Sequence, residues 1–168
     1  MDPAKLLIHG RNSALAILAL TSFCFANITE QRESRYLRSR TKTRIGEDWK
    51  VLAGSDPAGA KDAGFNDAGW ASTQVPHDMS AALVGTGKGI DPGQKGWYRK
   101  HFTLPVSAAG KQITLQFDGV YHFCKVFVNG IQVGAQEFGY VSFEVDITNA
   151  VKATGDNVIA VWVDNVTK

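Results

Sequence analysis

The chain has few cysteines, little net charge and no long helical pattern. Only 2 of its 168 residues are cysteine, which excludes a small scaffold held together by disulfides. The formal net charge is +2, too small for nucleic acid or an anionic membrane to be the main partner. Beyond Ile45, apolar residues do not recur at spacings of three and four over any long segment. This absence argues against a helical bundle.

Motifs for cofactors and metals are also lacking. The glycine-rich segment Gly85–Gly93 contains no Gly-x-x-x-x-Gly-Lys-Ser/Thr pattern and no helix follows it, so we expect no bound nucleotide. His101 and His122 have no cysteine or histidine companions at the spacing of metal ligands. We therefore expect neither a cofactor nor a metal site.

Residues 1–26 have the features of an export signal. Lys5 and Arg11 supply positive charge, residues 14–25 are apolar, and small residues precede a cleavage point after Ala26. The apolar run is shorter than the roughly 20 residues that a membrane-spanning helix needs. The sequence thus predicts a periplasmic or secreted protein that has no membrane contact once its signal is removed.

Signal removal would also take away Cys24 and leave a single thiol, Cys124. This cysteine lies in a strand-like run, 123–128, with no base beside it. We expect a small buried hydrophobe rather than a nucleophile, and no internal disulfide.

A basic, polar segment follows at residues 27–44. It lacks the interleaved aromatic residues of a nucleic-acid module, which favours a solvated linker over a phosphate-binding arm. It could also dock on further domains. We place one domain at residues 45–168.

Alternating apolar residues then predict strands. Ile113, Leu115 and Phe117 share one face of a strand, and Val128-Asn129-Gly130-Ile131 places the residues of a tight hairpin turn between two apolar runs. Further strands are expected at 49–52, 97–104, 142–146 and 158–163. Short strands without crossover helices predict an all-β protein, an antiparallel β-sandwich of the jelly-roll type.

Seven short motifs occur in a fixed order between Ile45 and Asn165. They are Asp48-Trp49-Lys50, Phe65-Asn66-Asp67 with Trp70, Val75-Pro76-His77-Asp78, Trp97-Tyr98-Arg99-Lys100 with Phe102, Val128-Asn129-Gly130 with Val133-Gly134, Phe138-Gly139-Tyr140 with Phe143, and Asp146-Ile147-Thr148. This succession closely resembles the amino-terminal sugar-binding domain of family 2 glycoside hydrolases, especially β-galactosidase-like members. The resemblance implies a galactose-binding-domain-like jelly roll.

The resemblance also implies what the chain does and what accompanies it. In that family the two catalytic glutamates belong to a barrel further along the polypeptide, so this region is a non-catalytic domain of an enzyme that hydrolyses O-glycosidic bonds. Its implied partners are a β-galactoside-like carbohydrate and downstream immunoglobulin-like and barrel domains, and a final strand is expected beyond Lys168. Two positions depart from the pattern. Met79 stands where many members have tryptophan, and Trp162 stands where a basic residue is usual.

Candidate site residues come from the polar positions around the glycine-rich loop. His77 and Asp78 stand before it and Asp91 lies within it, and such side chains suit hydrogen bonding to sugar hydroxyls. The other interpretation is that His77 and Asp78 brace the turn after Pro76. No catalytic residue is assigned, because cleavage needs two opposed carboxyl groups and alternation pairs none of the acidic candidates, Asp91, Asp118, Glu137, Glu144 and Asp146.

Two interpretations of a different kind stay open. Trp49, Trp70 and Trp97 could stack on a sugar, but we expect them in the core. The whole chain could also be a stand-alone exported carbohydrate-binding or adhesion module rather than part of an enzyme. The coding sequence downstream of Lys168 would discriminate these two functions.

Overall fold

Ten strands, all paired antiparallel, form two sheets in residues 4–9, 40–80 and 93–166, the part of the chain that the computed structural model describes. The strands are β1 (Ala4–His9), β2 (Arg40–Arg44), β3 (Trp49–Ala53), β4 (Ala71–Thr73), β5 (Lys95–Phe102), β6 (Gln112–Phe117), β7 (Phe123–Val128), β8 (Ile131–Gln136), β9 (Phe143–Asp146) and β10 (Asn157–Asp164). One sheet has the order β2-β1-β6-β9 and the other β4-β3-β5-β10-β7-β8. The predicted jelly-roll β-sandwich is confirmed.

The main core lies between the two sheets. Alternate residues of the central strands point inward, as predicted for Ile113, Leu115 and Phe117. Each buried aliphatic side chain contributes about 1.5–3 kcal/mol. Residues from both sheets form this core: Leu6, Trp49, Val51, Ile113, Leu115, Phe117, Cys124, Val126, Val128, Val145, Ile159, Val161 and Val163. Cys124 is fully buried, which confirms the predicted buried hydrophobe, and it is a free thiol.

A second apolar cluster covers the outer face of the six-stranded sheet. Trp97, Phe127 and Ala160 point away from the main core, and Ala60 and Trp70 from the 54–70 segment cover them. The three tryptophans assigned to the core are therefore buried, but they divide between two clusters. Alternation in the sequence predicts one buried face for each strand. It did not predict that the 54–70 segment also buries the outer face of the six-stranded sheet.

Trp162 belongs to this outer face. It packs beside the second cluster with Ala160, whereas Ile159 and Val161 point into the main core. Its ring lies edge-on to Phe123 and near Lys125, whose Nζ is 5.4 Å from the ring centroid. Strand alternation accounts for this face, since position 162 is an even number of residues from Ala160 and an odd number from Ile159 and Val161.

The hairpin between β7 and β8 turns at Asn129 and Gly130. Both have positive φ, 51° and 86°, as the Asn-Gly sequence predicts. The Asn129 side chain also ties this turn to the chain around residues 150–158. Its Oδ1 accepts from the Val158 amide at 3.0 Å, and its Nδ2 donates to Ala150 O and Asn157 Oδ1, both at 2.8 Å.

The amino-terminal residues differ most from the sequence-based expectation. β1 lies within residues 1–26, where the sequence predicts an export signal, and β2 lies within the expected linker 27–44. All five residues of β2 are exposed, so its pairing is through the main chain and leaves no apolar alternation to detect. In the structure, the four-stranded sheet includes residues from Arg40 onward. No helix within the described ranges is long and apolar enough to cross a bilayer.

Candidate functional site

A cleft of about 670 Å³ lies beside the segment 75–80 and the carboxyl ends of β6 and β10. Its walls combine apolar side chains with a few polar groups, the usual composition of a small-molecule site. The lining residues are Trp49, Val75, Pro76, His77, Asp78, Met79, Ser80, Tyr98, Phe117, Asp118, Gly119, Val120, Tyr121, Gly139, Tyr140, Val161, Val163 and Asn165.

His77 and Tyr98 are joined inside the cleft. The Tyr98 hydroxyl lies 2.8 Å from His77 Nδ1, and the two rings meet edge to face. Burial, and next the negative charge of Asp78, raise the pKa of Tyr98 far above its ordinary value. The phenol therefore stays protonated and can donate its hydrogen to Nδ1, which leaves the imidazole Nε2–H of the exposed His77 ring as a donor.

Asp78 holds its own turn and retains hydrogen-bonding capacity. Its Oδ1 accepts from the Ser80 amide at 2.8 Å, the side-chain-to-backbone bond typical of an Asx turn. Within the described part of the chain, Oδ2 has no hydrogen-bond partner, and the side chain is exposed. One carboxylate oxygen thus braces the turn after Pro76, which is the second interpretation given for Asp78, while the other oxygen faces solvent at the cleft.

Asp118 and Asn165 add polar groups to the walls. Asp118 follows β6 and its Oδ2 lies 3.4 Å from Lys5 Nζ. Asn165 follows β10, accepts from the Gln94 amide and donates to Ser80 Oγ at 3.4 Å. Both side chains are positioned by bonds to other segments, so the cleft wall is built from residues distant in sequence.

Two tyrosines form an aromatic rim. Tyr121 is 47% exposed and Tyr140 88% exposed, and their ring centroids are 5.4 Å apart. Glycine permits this approach: a Cβ on Gly139 would lie 2.5 Å from Tyr121 Cδ2, and one on Gly119 would lie 2.9 Å from the Gly139 carbonyl oxygen. Exposed tyrosine pairs offer a flat apolar surface with a polar tip.

Met79 closes the cleft against the core. It is 7% exposed, and its Sδ lies 2.7 Å from the position that a Cβ on Gly96 would take. A side chain at position 96 would displace the methionine, so Gly96 in β5 makes room for it. Met79, which stands where many members of the resembled family have tryptophan, is thus accommodated by packing in the core.

The structure brings two of the three predicted site residues together. His77 and Asp78 both line the cleft, whereas Asp91 lies outside the described residues. Sequence reasoning missed Tyr98, which it treated as framework, and the Tyr121–Tyr140 rim. The glycines next to these tyrosines were the available signal, because Gly119 and Gly139 mark a close approach of two chain segments.

The groups gathered here suit hydrogen bonding and stacking. Carboxylate and imidazole atoms can bind hydroxyl groups, and tyrosine faces can contact an apolar ring surface. In the described ranges, no cluster of three or more histidine, cysteine, aspartate or glutamate residues is arranged to hold a metal ion.

Comparison with known proteins identifies the relatives of this fold. The model for the sugar-binding domain of glycosyl hydrolases family 2 matches residues 53–167. A β-galactosidase of Bacteroides ovatus is 38% identical over 139 residues, covering 79% of this chain and 16% of that protein. A β-glucuronidase of Formosa agariphila is 34% identical over 134 residues, covering 75% of this chain and 14% of that protein.

Solved structures agree with these relatives. The crystal structure of Bacteroides uniformis β-glucuronidase superimposes with a TM-score of 0.68 at 33% identity, covering 74% of this chain and 14% of that one. The chain thus spans a small fraction of the enzymes it matches. From the family match and the shared sandwich, the chain belongs to glycosyl hydrolase family 2 and carries its sugar-binding domain.

Proposed function

We propose that the cleft between segment 75–80 and the tyrosine rim binds carbohydrate, and that the domain serves as a non-catalytic part of a β-galactosidase-like glycosidase. The observation that supports this proposal is the meeting of partly unused polar groups, His77 and Asp78, with the exposed rings of Tyr121 and Tyr140. A β-galactoside is the proposed sugar because the relative with 38% identity is a β-galactosidase.

The expected mode of binding follows from sugar chemistry. A pyranose has an apolar face that covers a tyrosine ring, and hydroxyls that donate to the free oxygen of Asp78 or accept from His77. A hydrogen bond to a charged group contributes about 1.5–3 kcal/mol. Because the cleft is open to solvent, a monosaccharide should bind weakly, with a Kd on the order of 1 mM.

The proposed enzyme needs a barrel and its two carboxyl groups for cleavage. The purified chain should therefore not hydrolyse a chromogenic β-galactoside, and turnover that survives repurification would contradict the non-catalytic role. In a longer parent, Asp78→Ala should raise KM more than it lowers kcat, because a peripheral hydroxyl contact holds ground state and transition state alike.

The direct test is binding of methyl β-galactoside to the purified chain, measured by saturation-transfer NMR with methyl β-glucuronide in parallel. Tyr140→Ala and Asp78→Asn should weaken binding about tenfold, equivalent to the loss of about 1.4 kcal/mol. Phe138→Ala and Glu144→Gln are matched controls, since both residues are exposed and neither lines the cleft. Equal binding by all four variants would remove the cleft from consideration.

The cleft also supports the second candidate function, a stand-alone exported carbohydrate-binding or adhesion module. The two functions differ in affinity and in genetic context. Micromolar binding of an oligosaccharide by this chain alone would favour the module, whereas an in-frame barrel downstream would favour the enzyme.

A further inference from the structure

Trp162 lies on the outer face of the six-stranded sheet, at a place that the 54–70 segment leaves partly open. Its cross-strand neighbour on β5 is Trp97. Trp97 is 6% exposed and donates from Nε1 to Asp56 Oδ1 at 2.7 Å, so the covering segment is fixed over it. The ring of Trp162 is only half-buried. Part of an indole surface is therefore available to a ligand beside the second apolar cluster.

Two lysines flank this ring from the neighbouring strands. Lys125 of β7 stands opposite Trp162 in register, and its Nζ lies 5.4 Å from the ring centroid. Lys95, at the start of β5, places its Nζ 5.9 Å from the same centroid. Both distances are within the range of a cation–π interaction. Two ammonium groups from different strands thus share one indole ring.

The positive charge of these lysines is balanced only in part. Lys95 Nζ lies 2.9 Å from Asp164 Oδ2 and forms an ion pair with it. Lys125 Nζ lies 5.9 Å from the ring centroid of Phe123, which stands edge-on to Trp162. Within the ranges that the structure describes, Lys125 has no carboxylate at ion-pair distance. The site therefore favours an anion that also presents an apolar surface to the rings.

We propose that Trp162, Lys125 and Lys95 bind a uronic acid residue of an acidic glycan. A uronic acid carries a carboxylate on a sugar ring whose C–H face is apolar, so a single unit supplies an anion for Lys125 and a surface for the indole. An aspartate or glutamate side chain supplies the carboxylate but has no ring to cover Trp162. Val161 and Val163 line the sugar cleft from the opposite side of β10. The proposal is therefore independent of the function proposed for the cleft.

Titration of the full chain with a trisaccharide of galacturonic acid, followed by NMR of the indole N–H groups, tests this site. The Nε1–H of Trp162 has no acceptor among the described residues, and Trp162→Phe assigns its signal by removing it. We expect the signal to shift with a Kd on the order of 1 mM, since the site is small and open. Binding should weaken severalfold between about 0.01 M and about 0.1 M NaCl, because salt screens exposed charges.

Variants make the test specific. Lys125→Gln should weaken binding about fivefold, the scale of an exposed ion pair. Lys152→Gln is the matched control and should have no effect, since this exposed lysine lies before the other end of β10. Trp162→Arg places the basic residue usual in the resembled family at this position, and it should remove the preference for the uronic acid over a tri-aspartate peptide. Asp78→Asn in the cleft should leave this titration unchanged.

The decisive comparison uses three ligands on the unaltered chain, so it does not depend on the folding of any variant. The galacturonic acid trisaccharide should shift the Trp162 signal, whereas a neutral galactose trisaccharide and tri-aspartate should do so at least about fivefold more weakly. An equal response to the neutral sugar would exclude a role for the lysines. An equal response to tri-aspartate would make this a site for acidic peptides. Either result, or no shift with the uronic acid, would overturn the proposal.

Discussion

The two sides of strand β5 use polar groups in opposite ways. On the outer side, Arg99 is fully buried and donates to Asp67 at 2.8 Å and to the carbonyl oxygens of Ala60, Asp62 and Phe65. On the cleft side, Tyr98 is joined to His77 alone, and the neighbouring Asp78 keeps an oxygen for solvent. Polar side chains whose hydrogen bonds are all made within the protein form a structural network, whereas side chains that keep a free donor or acceptor can bind a ligand.

The outer network also fixes a segment that has no strand of its own over residues 54–70. The guanidinium carbon of Arg99 lies 5.5 Å from the Phe65 ring centroid and 6.0 Å from that of Trp70. His101 extends the network by bonding Asp156 at 2.6 Å and Asp67 at 3.3 Å. The buried Arg99–Asp67 pair therefore holds the 54–70 segment against the second apolar cluster.

Replacing the centre of this network should have the largest effect on stability. Arg99→Leu removes the guanidinium donor from three carbonyls and from the Asp67 carboxylate, which keeps only His101, and we expect a loss of about 3–5 kcal/mol in the free energy of unfolding. Urea denaturation measures it, with the exposed Arg40→Leu as control. A loss below about 1 kcal/mol would contradict the structural role of the network.

Asn129, in the β7–β8 turn, is a second side chain that makes all its hydrogen bonds within the protein, and it provides an independent test. Asn129→Gly keeps the positive φ but removes the bonds to Val158, Ala150 and Asn157, at an expected cost of about 1–3 kcal/mol. Asn129→Ala should cost about 1 kcal/mol more, since alanine disfavours positive φ. Thermal unfolding of the two variants separates hydrogen bonding from backbone strain, and wild-type stability in both would refute the account of this turn.

Asp67, the acidic partner of Arg99, should make the free energy of unfolding depend on pH. Burial alone would raise the pKa of Asp67, but the hydrogen bond and charge of Arg99, assisted by His101, outweigh it and hold that pKa below its ordinary value of 3.8. Its stabilising contribution is therefore complete above pH 3.8 and is lost as the pH falls through the lowered folded-state pKa.

Asp67→Asn tests that sign. The variant should be less stable than the wild type by about 1–3 kcal/mol near neutral pH. The difference should shrink as the pH falls below about 4. Denaturation curves between pH 2 and 7 check this, and a difference that grows in acid would refute the assignment.

The smallest effect on stability is expected in the cleft. Tyr98→Phe removes a hydroxyl whose partner, His77, is exposed and can bind water instead, so the loss should be below about 1 kcal/mol. Sugar binding should nevertheless weaken, because the orientation of the imidazole is no longer set. If Tyr98→Phe lost as much stability as Arg99→Leu, the proposed difference between the two sides of β5 would be wrong.

The sequence predicted the fold well because its strong signals are local. Alternation identified the inward residues of β6, and Asn129-Gly130 identified the hairpin. The predicted boundaries differ by a few residues; β5, for example, is Lys95–Phe102 rather than 97–104. Strand ends depend on pairing, which the local pattern does not contain.

The site was predicted only in part, for a physical reason. Arg99 looks like a surface residue in a strand, and only the 54–70 segment folded over it shows that it is buried. The tyrosine rim needs residues from segments near 120 and 140 to meet, and no local pattern specifies such a meeting. β1 escaped prediction because its composition also fits an export signal.

The opposite orientations of Tyr98 and Arg99 limit how β5 can change in evolution. Side chains alternate along a strand, so one inserted or deleted residue within β5 would move the arginine into the apolar core and the tyrosine out of the cleft. Its neighbours β3 and β10 pair with it from both edges and would oppose any slip. Homologues should therefore vary in length in the connections beside β5 and keep a constant residue count within it.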